Sequence, residues 1–263
     1  MTPLAHVIQY IISGITSGSI YATVGVGWSI VFLFTGILNF TTGEFVMLGS
    51  MLTWVLLEAG LGLAPAVILA IAATVAIGII GERLALRPVK YPLEMTYMAI
   101  TIAAASVIKG IILLTCNSEP HGIVSLVANK QISMLGAMVT TETILVISIL
   151  VVIAVGLSLF FNRILFGKAL RSAAINPNGA SLVGIRIGVL TVFCFGLAGG
   201  LGAIAGIVIA PITFTGYGIG LMTGLKGLVA AIVGGRIGDV VREYTSADAY
   251  GKDAMAAVSL AKG

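Results

Sequence analysis

Residues 166–185 read FGKALRSAAINPNGASLVGI and form a polar, basic island between two long apolar runs. The run before it, 140–161, contains one charged residue, and the run after it, 187–211, contains none. An apolar helix of about 20 residues crosses the hydrocarbon core of a bilayer, where charged side chains are costly. We therefore place the island in water beside a membrane, and the flanking runs predict two membrane spans.

The composition of the whole chain supports a membrane protein. Hydrophobic residues make up 59% of the 263 residues and charged residues 9%, with 34 glycines and a mean hydropathy of +1.14. Soluble domains carry about 25% charged residues, so this chain could not cover a water-facing surface. The formal net charge of +4 comes from basic residues in short loops, which indicates membrane topology rather than nucleic-acid binding. The sequence predicts an all-α, glycine-rich, polytopic transmembrane helix bundle.

The apolar runs set the number and direction of the spans. About seven spans are predicted, at 7–34, 45–57, 63–80, 95–116, 140–161, 187–211 and 221–235. The basic loops 82–90 and 163–186 are separated by two spans, so they fall on one side, which the positive-inside rule makes cytoplasmic. The N-terminus is then outside. Residues 1–235 form the predicted transmembrane domain, and 236–263 form a polar tail that cannot span a bilayer.

A polar break at 36–44 separates the first two apolar runs. Non-helical backbone at membrane depth survives only where it is buried in protein or lines a cavity. In that case the side chains that line a polar path are Asn39, Thr41, Thr42 and Glu44. The alternative is an interfacial turn in which the charge of Glu44 complements the dipole at a helix N-terminus. The residues alone leave both interpretations open.

Two lysines fall inside apolar runs. Lys226 looks the most deeply placed charge of the chain, and a charge inside a span is a candidate functional residue, although its side chain could also extend to the interface. We therefore add Lys226 to the candidate substrate path. Lys109 lies near one end of its run, and we expect its side chain to reach the interface.

The sequence lacks the motifs of several enzyme classes. It contains no Gly-x-x-x-x-Gly-Lys-Ser/Thr, no His-Glu-x-x-His and no Gly-x-Ser-x-Gly sequence. His6 and His121 are far apart, and Cys116 and Cys194 lie in or beside apolar runs, so we expect neither a metal site nor a disulfide framework. A few polar residues in a glycine-rich bundle favour transport over catalysis, and we expect a protein that is not an enzyme.

The island carries a longer pattern, Gly-x3-Arg-x4-Asn-x3-Ala-x3-Gly-Ile. Its specified residues are Gly167, Arg171, Asn176, Ala180, Gly184 and Ile185. Together with Asn39-Phe-Thr-Thr-Gly-Glu44 and the segment GLKGLVAAIVGG at 224–235, it resembles the permease subunits of bacterial ABC importers for branched-chain amino acids, of the LivH-like subtype. The three matches are spread in the expected order over residues 7–235.

The resemblance implies a multi-pass protein of the bacterial inner membrane with several partners. These are a second, LivM-like permease, two cytoplasmic ATPase subunits and a periplasmic amino-acid-binding protein. It implies that the partner subunits bind ATP and that this chain needs no cofactor. It also implies that the loop 163–186 couples to an ATPase through Gly167, Lys168, Arg171, Asn176, Ala180 and Gly184. The alternative is an ordinary cytoplasmic loop whose charges only set topology.

Other functions stay open from the residues. A stand-alone, ion-coupled secondary transporter or channel would use buried charges, for which Glu44 and Lys226 are the candidates. An ABC permease for urea or short amides would share the same family features. Permeases that this chain resembles continue after the Gly-Gly pair into a further apolar span, whereas here the polar stretch 236–263 follows. Either the gene is truncated or frame-shifted near its end or this member has a different terminus, and we expect reduced activity.

Overall fold

The computed structural model describes residues 3–89, 94–116, 119–123, 125, 127, 131–134 and 137–235. Its helices are α1 (Pro3–Thr35), α2 (Thr41–Glu58), α3 (Leu63–Gly81), α4 (Glu94–Cys116), α5 (Thr141–Arg163), α6 (Leu165–Ile175), α7 (Pro177–Leu182), α8 (Ile187–Thr213) and α9 (Ile219–Gly235). A π-helical turn, Glu82–Leu86, continues α3. An antiparallel hairpin of β1 (Gln131–Met134) and β2 (Ala137–Thr140) leads into α5. The predicted tail, 236–263, lies outside the described residues.

Each predicted apolar run is a helix in the structure. Five helices are long and apolar enough to cross a membrane, namely α1, α3, α4, α5 and α8. The shorter helix α9 is also apolar, and α2 is largely buried within the bundle. In lipid the backbone must satisfy its own hydrogen bonds, so long apolar segments become helices. The predicted all-α transmembrane bundle is confirmed.

Helix α8 is the centre of the bundle. It packs against α1, α2 and α3 and is mostly buried, whereas the apolar faces of α4 and α5 are largely exposed in this chain. Glycines let α8 approach α2 at backbone distance. A Cβ atom added to Gly206 would lie 1.9 Å from the carbonyl oxygen of Val46, and one added to Gly49 would lie 2.4 Å from the Cα of Ala203. Close packing of small residues is a main source of helix association in membranes.

The two basic loops meet at one end of the bundle. Arg87, after the π-helical turn, and Ala173 of α6 line the same cavity of about 670 Å³, together with Phe34 at the end of α1. The prediction that loops 82–90 and 163–186 lie on the same side is confirmed for their described residues. The assignment of that side to the cytoplasm stays a prediction.

Candidate functional site

The break between α1 and α2 lies inside the bundle. Gly36 has a φ of +69° and ends α1, while its N–H donates to the carbonyl oxygen of Phe32 at 2.8 Å. The carbonyl of Leu38 accepts a hydrogen bond of 3.2 Å from the hydroxyl of Thr101, in α4. Asn39 is fully buried. The discontinuous segment is therefore buried in protein at Asn39 and exposed at Gly36, and Glu44 lies in the first turn of α2, as the alternative interpretation expected.

The break is shorter than predicted because hydrogen bonds to Asn39 stabilise the first turn of α2, which begins at Thr41. The Oδ1 atom of Asn39 accepts from the N–H of Thr41 at 3.1 Å and from its hydroxyl at 2.5 Å, and the carbonyl oxygen of Asn39 accepts from the N–H of Thr42 at 3.2 Å. These bonds satisfy donors that a helix N-terminus otherwise leaves free. Only 36–40 is non-helical, and Glu44 lies in the first turn of α2.

Four buried polar atoms near the break have no hydrogen-bond partner among the described residues. They are Nε1 of Trp28, Nδ2 of Asn39, Oγ1 of Thr42 and Oε2 of Glu44. Trp28 belongs to this group because its ring packs edge-on against Phe40, with ring centroids 5.4 Å apart. Buried polar atoms are nearly always paired in proteins, and leaving them unpaired is costly. These unpaired atoms make the start of α2 and its surroundings the candidate site for a polar ligand.

The N-terminus of α9 meets the N-terminus of α2 beside this site. A Cβ atom on Gly43 would lie 2.7 Å from the carbonyl oxygen of Gly220, and one on Gly224 would lie 2.6 Å from the Cα of Gly43. The Oε2 atom of Glu44 lies 2.7 Å from the position that a Cβ atom on Gly220 would occupy. Each helix N-terminus carries a partial positive charge, so the two ends favour a carboxyl group between them.

The loop between α8 and α9 closes the other side of the site. Thr215 and His121 exchange two backbone hydrogen bonds of 2.8 Å each, and the hydroxyl of Thr215 donates to Ser50 at 2.6 Å. The ring of His121 stacks on Trp54 with centroids 3.6 Å apart. Ser50 lies six residues beyond Glu44 on α2, about 9 Å along the helix. The sequence gives no signal for this closure, since it joins segments that are distant along the chain.

The structure separates the two lysines. The ammonium group of Lys226 donates to the hydroxyl of Tyr21 at 3.2 Å on the exposed face of α9, so its expected burial is wrong for this chain. No contact between Lys226 and Glu44 occurs among the described residues. Lys109 instead lies over the ring of Tyr217, with its nitrogen 5.4 Å from the centroid, and it interacts electrostatically with Glu44. The expectation that Lys109 reaches the interface stays a prediction.

The island folds into two short helices with exposed cations. Gly167 packs on the end of α5, where an added Cβ atom would lie 2.3 Å from the carbonyl oxygen of Phe160. Asn176 caps α7, since its Oδ1 accepts from the N–H of Gly179 at 2.9 Å. Lys168 and Arg171 are exposed.

The other two candidate residues of the island support the loop. Ala180 is buried in a cluster that also contains Leu190 and Cys194 of α8. Gly184 adopts a φ of +85°, which favours glycine, and it turns the chain toward α8. The island therefore combines exposed cations, Lys168 and Arg171, with residues that fix the loop to the bundle.

A polytopic helix bundle with a discontinuous helix and unpaired polar groups beside it is the architecture of a membrane transport protein. Residues 10–245 match the family model described as the branched-chain amino acid transport system permease component. The chain belongs to this family, and it is a multi-pass permease subunit of the bacterial inner membrane.

Relatives within the family are similar over most of their length. The chain is 28% identical to the high-affinity branched-chain amino acid transport system permease protein BraD of Pseudomonas aeruginosa, over 97% of the chain and 92% of that relative. It is 27% identical to LivH of Salmonella typhimurium and 26% identical to LivH of Escherichia coli, in each case over 88% of the chain and 79% of the relative. No solved structure matches the chain significantly.

Proposed function

We propose that this permease moves branched-chain, hydrophobic amino acids through the polar site at the break between α1 and α2. The observation that supports this most strongly is the family match over 10–245, since the relatives' names specify branched-chain amino acid transport. The chain works as one subunit of an ABC importer. Its partners are a second, LivM-like permease, two ATPases that bind ATP, and a periplasmic binding protein. The permease itself is not an enzyme and needs no cofactor.

The chemistry at the break suits an amino acid. A zwitterion needs a hydrogen-bond donor for its carboxylate, an acceptor for its ammonium group and an apolar wall for its side chain. The amide of Asn39 supplies a donor, and Thr42 and Glu44 supply unpaired oxygens. Thr41 positions Asn39, because its hydroxyl is bonded to the amide oxygen. Lys226 is not included in the proposed path, since it lies on the exposed face of α9.

Two cavities indicate toward which side of the membrane the proposed substrate path opens. A cavity of about 30 Å³ is lined by Asn39, Phe45 and Ile108, and such a volume holds about one water molecule. The larger cavity of about 670 Å³ lies at the end where the basic loops meet, and Leu86 lines both. We propose that the site is closed in this structure and that movement of Leu86 opens it toward the cytoplasm.

The island supports coupling to an ATPase. Leu170 of α6 and Ala180 of α7 share one buried cluster with Leu190 of α8. A displacement of the island is therefore passed directly to the central helix. Exposed Lys168 and Arg171 remain free to contact a partner subunit or the surface of the membrane.

Replacing Arg171 and Asn176 together with alanine should uncouple ATP hydrolysis from uptake. The change removes an exposed cation and the cap of α7, which stabilises that helix by about 1 kcal/mol, so the bundle should still insert. We expect leucine uptake to fall by at least about tenfold while ATP hydrolysis continues, measured on the reconstituted complex. Arg163→Ala, at the end of α5 outside the Gly-x3-Arg-x4-Asn pattern, is the matched control. Normal uptake by the double variant would show that the loop only sets topology.

The proposed function is tested by purifying the chain with its ATPases, second permease and binding protein and measuring leucine uptake into proteoliposomes. We expect uptake that requires both ATP and the binding protein. Uptake without ATP would favour a stand-alone secondary transporter or channel. Uptake of urea or a short amide in place of leucine would assign the chain to a permease for those compounds.

A further inference from the structure

Lys109 lies well inside α4. It is seven residues before Cys116 and 15 residues after Glu94, so the nearer helix end is about 10 Å away. The Cα–Cβ bonds of an α-helix tilt toward its N-terminus, which for Lys109 is the more distant end. The side chain therefore starts away from the nearer interface, which opposes snorkelling to that side.

Tyr217 holds the ammonium group of Lys109 against the bundle. The nitrogen atom lies 5.4 Å from the centroid of the Tyr217 ring, within the range of a cation–π contact. Both side chains are half-buried. Tyr217 also packs with Phe45 and Ile112 in the cluster that joins α2 to α4. The lysine is thus fixed beside the first turn of α2, although it remains partly accessible.

Glu44, the residue before Phe45 in α2, has an unused oxygen. Its side chain is 4% exposed, and Oε2 has no hydrogen-bond partner within the described ranges, so Lys109 does not donate to that atom. The charge of Lys109 nevertheless acts on the carboxyl group of Glu44. A buried carboxyl oxygen without a partner is available to a third group. Unpaired Nδ2 of Asn39 and Oγ1 of Thr42 adjoin the same turn.

We infer that Lys109 and Glu44 together receive the charged ends of an amino-acid zwitterion during transport. Glu44 accepts from the ammonium group, the ammonium of Lys109 binds the carboxylate, and Tyr217 positions Lys109. This inference rests on the proposed function and adds a residue that the family motifs do not include. It also explains why a lysine is placed at this depth, since intramembrane charges are costly and line substrate paths.

The test uses the complete transporter in proteoliposomes with binding protein and ATP, and initial leucine uptake is the readout. We expect Lys109→Met to lower uptake by at least about tenfold, because a charge-assisted contact is lost, and Lys109→Arg to stay within about threefold of the wild type. Both variants should assemble with their partners and melt at the wild-type temperature. Loss of assembly or a lower melting temperature in Lys109→Met alone would indicate a purely structural role.

Chemical rescue distinguishes the effect of losing the charge at position 109 from the effect of altered packing there. In a background in which buried Cys116 and Cys194 are replaced by alanine, Lys109→Cys is treated with aminoethyl or sulfonatoethyl methanethiosulfonate. The first reagent restores an ammonium group and should recover at least about half of the uptake, whereas the second adds an anion and should not. Equal recovery with both reagents, or wild-type uptake by Lys109→Met, would overturn the inference while leaving the proposed function intact. Absence of leucine uptake by the wild-type complex would overturn the proposed function, and the zwitterion site with it.

Discussion

Gly206→Val is expected to prevent recovery of a folded permease. A Cβ atom at Gly206 would lie 1.9 Å from the carbonyl oxygen of Val46, and this neighbour is backbone that no side-chain rotation can move. The central helix α8 would have to separate from α2 along their contact. Overpacking of this kind costs about 1–3 kcal/mol even where neighbouring side chains can adjust, and here they cannot. We expect the yield of monodisperse protein in mild detergent to fall by at least about tenfold, measured by size-exclusion chromatography.

Gly188→Val is the matched control for this prediction. Gly188 lies in the same helix, and an added Cβ atom would meet nothing within 4 Å. The substitution is chemically identical, so any effect of a β-branched residue on helix formation or insertion is shared by both variants. Equal yields from the two variants would mean that α2 and α8 do not approach as closely as described.

Glu44→Gln is expected to abolish most uptake while leaving the bundle intact. Glutamine has nearly the same size as glutamate, so the packing against Gly220 is preserved. The change removes the carboxyl group that we propose accepts from the substrate ammonium. Hydrogen bonds to charged groups contribute about 1.5–3 kcal/mol, which predicts a decrease of about 10-fold to 100-fold in the initial rate of leucine uptake. Proteoliposomes that contain the complete importer provide the measurement.

Glu58→Gln serves as the control for the Glu44 variant. Glu58 is the last residue of α2 and is exposed, so it shares the helix and the chemistry but not the site. We expect its uptake to equal that of the wild type. If Glu44→Gln also transported normally, Glu44 would be a residue that only supports the start of α2, and the proposed path would lose its acceptor.

The site was predictable only in part. The motif at 39–44 identified Asn39, Thr42 and Glu44, because polar residues inside an apolar context are unusual in any membrane protein. It did not show which of two environments they occupy. Tertiary contacts determine that environment, such as the hydrogen bond from Thr101 of α4 to the carbonyl oxygen of Leu38. A contact between residues so far apart along the chain leaves no trace in the periodicity of either segment.

The two lysines also show a limit of prediction from sequence. Position within an apolar run suggested that Lys226 is buried and Lys109 peripheral, whereas Lys226 is exposed and Lys109 is half-buried against Tyr217. The position of a lysine within an apolar run shows how far along the helix it lies. It does not show which face of the helix carries the side chain. The face depends on the neighbours, here Tyr21 for Lys226 and Tyr217 for Lys109.

The amino-acid sequence by itself determined the class of this protein, the helical structure of its predicted apolar runs and the side shared by its two basic loops. It could do so because a bilayer forces each apolar segment to satisfy its backbone hydrogen bonds locally, so helix formation follows from local composition. The tertiary structure alone decided that α8 is central, that Asn39 in the break is buried and that Lys109 lies over the ring of Tyr217. These features depend on where glycines let two backbones meet, as at Gly206 and Val46, and such a meeting is a property of both helices together.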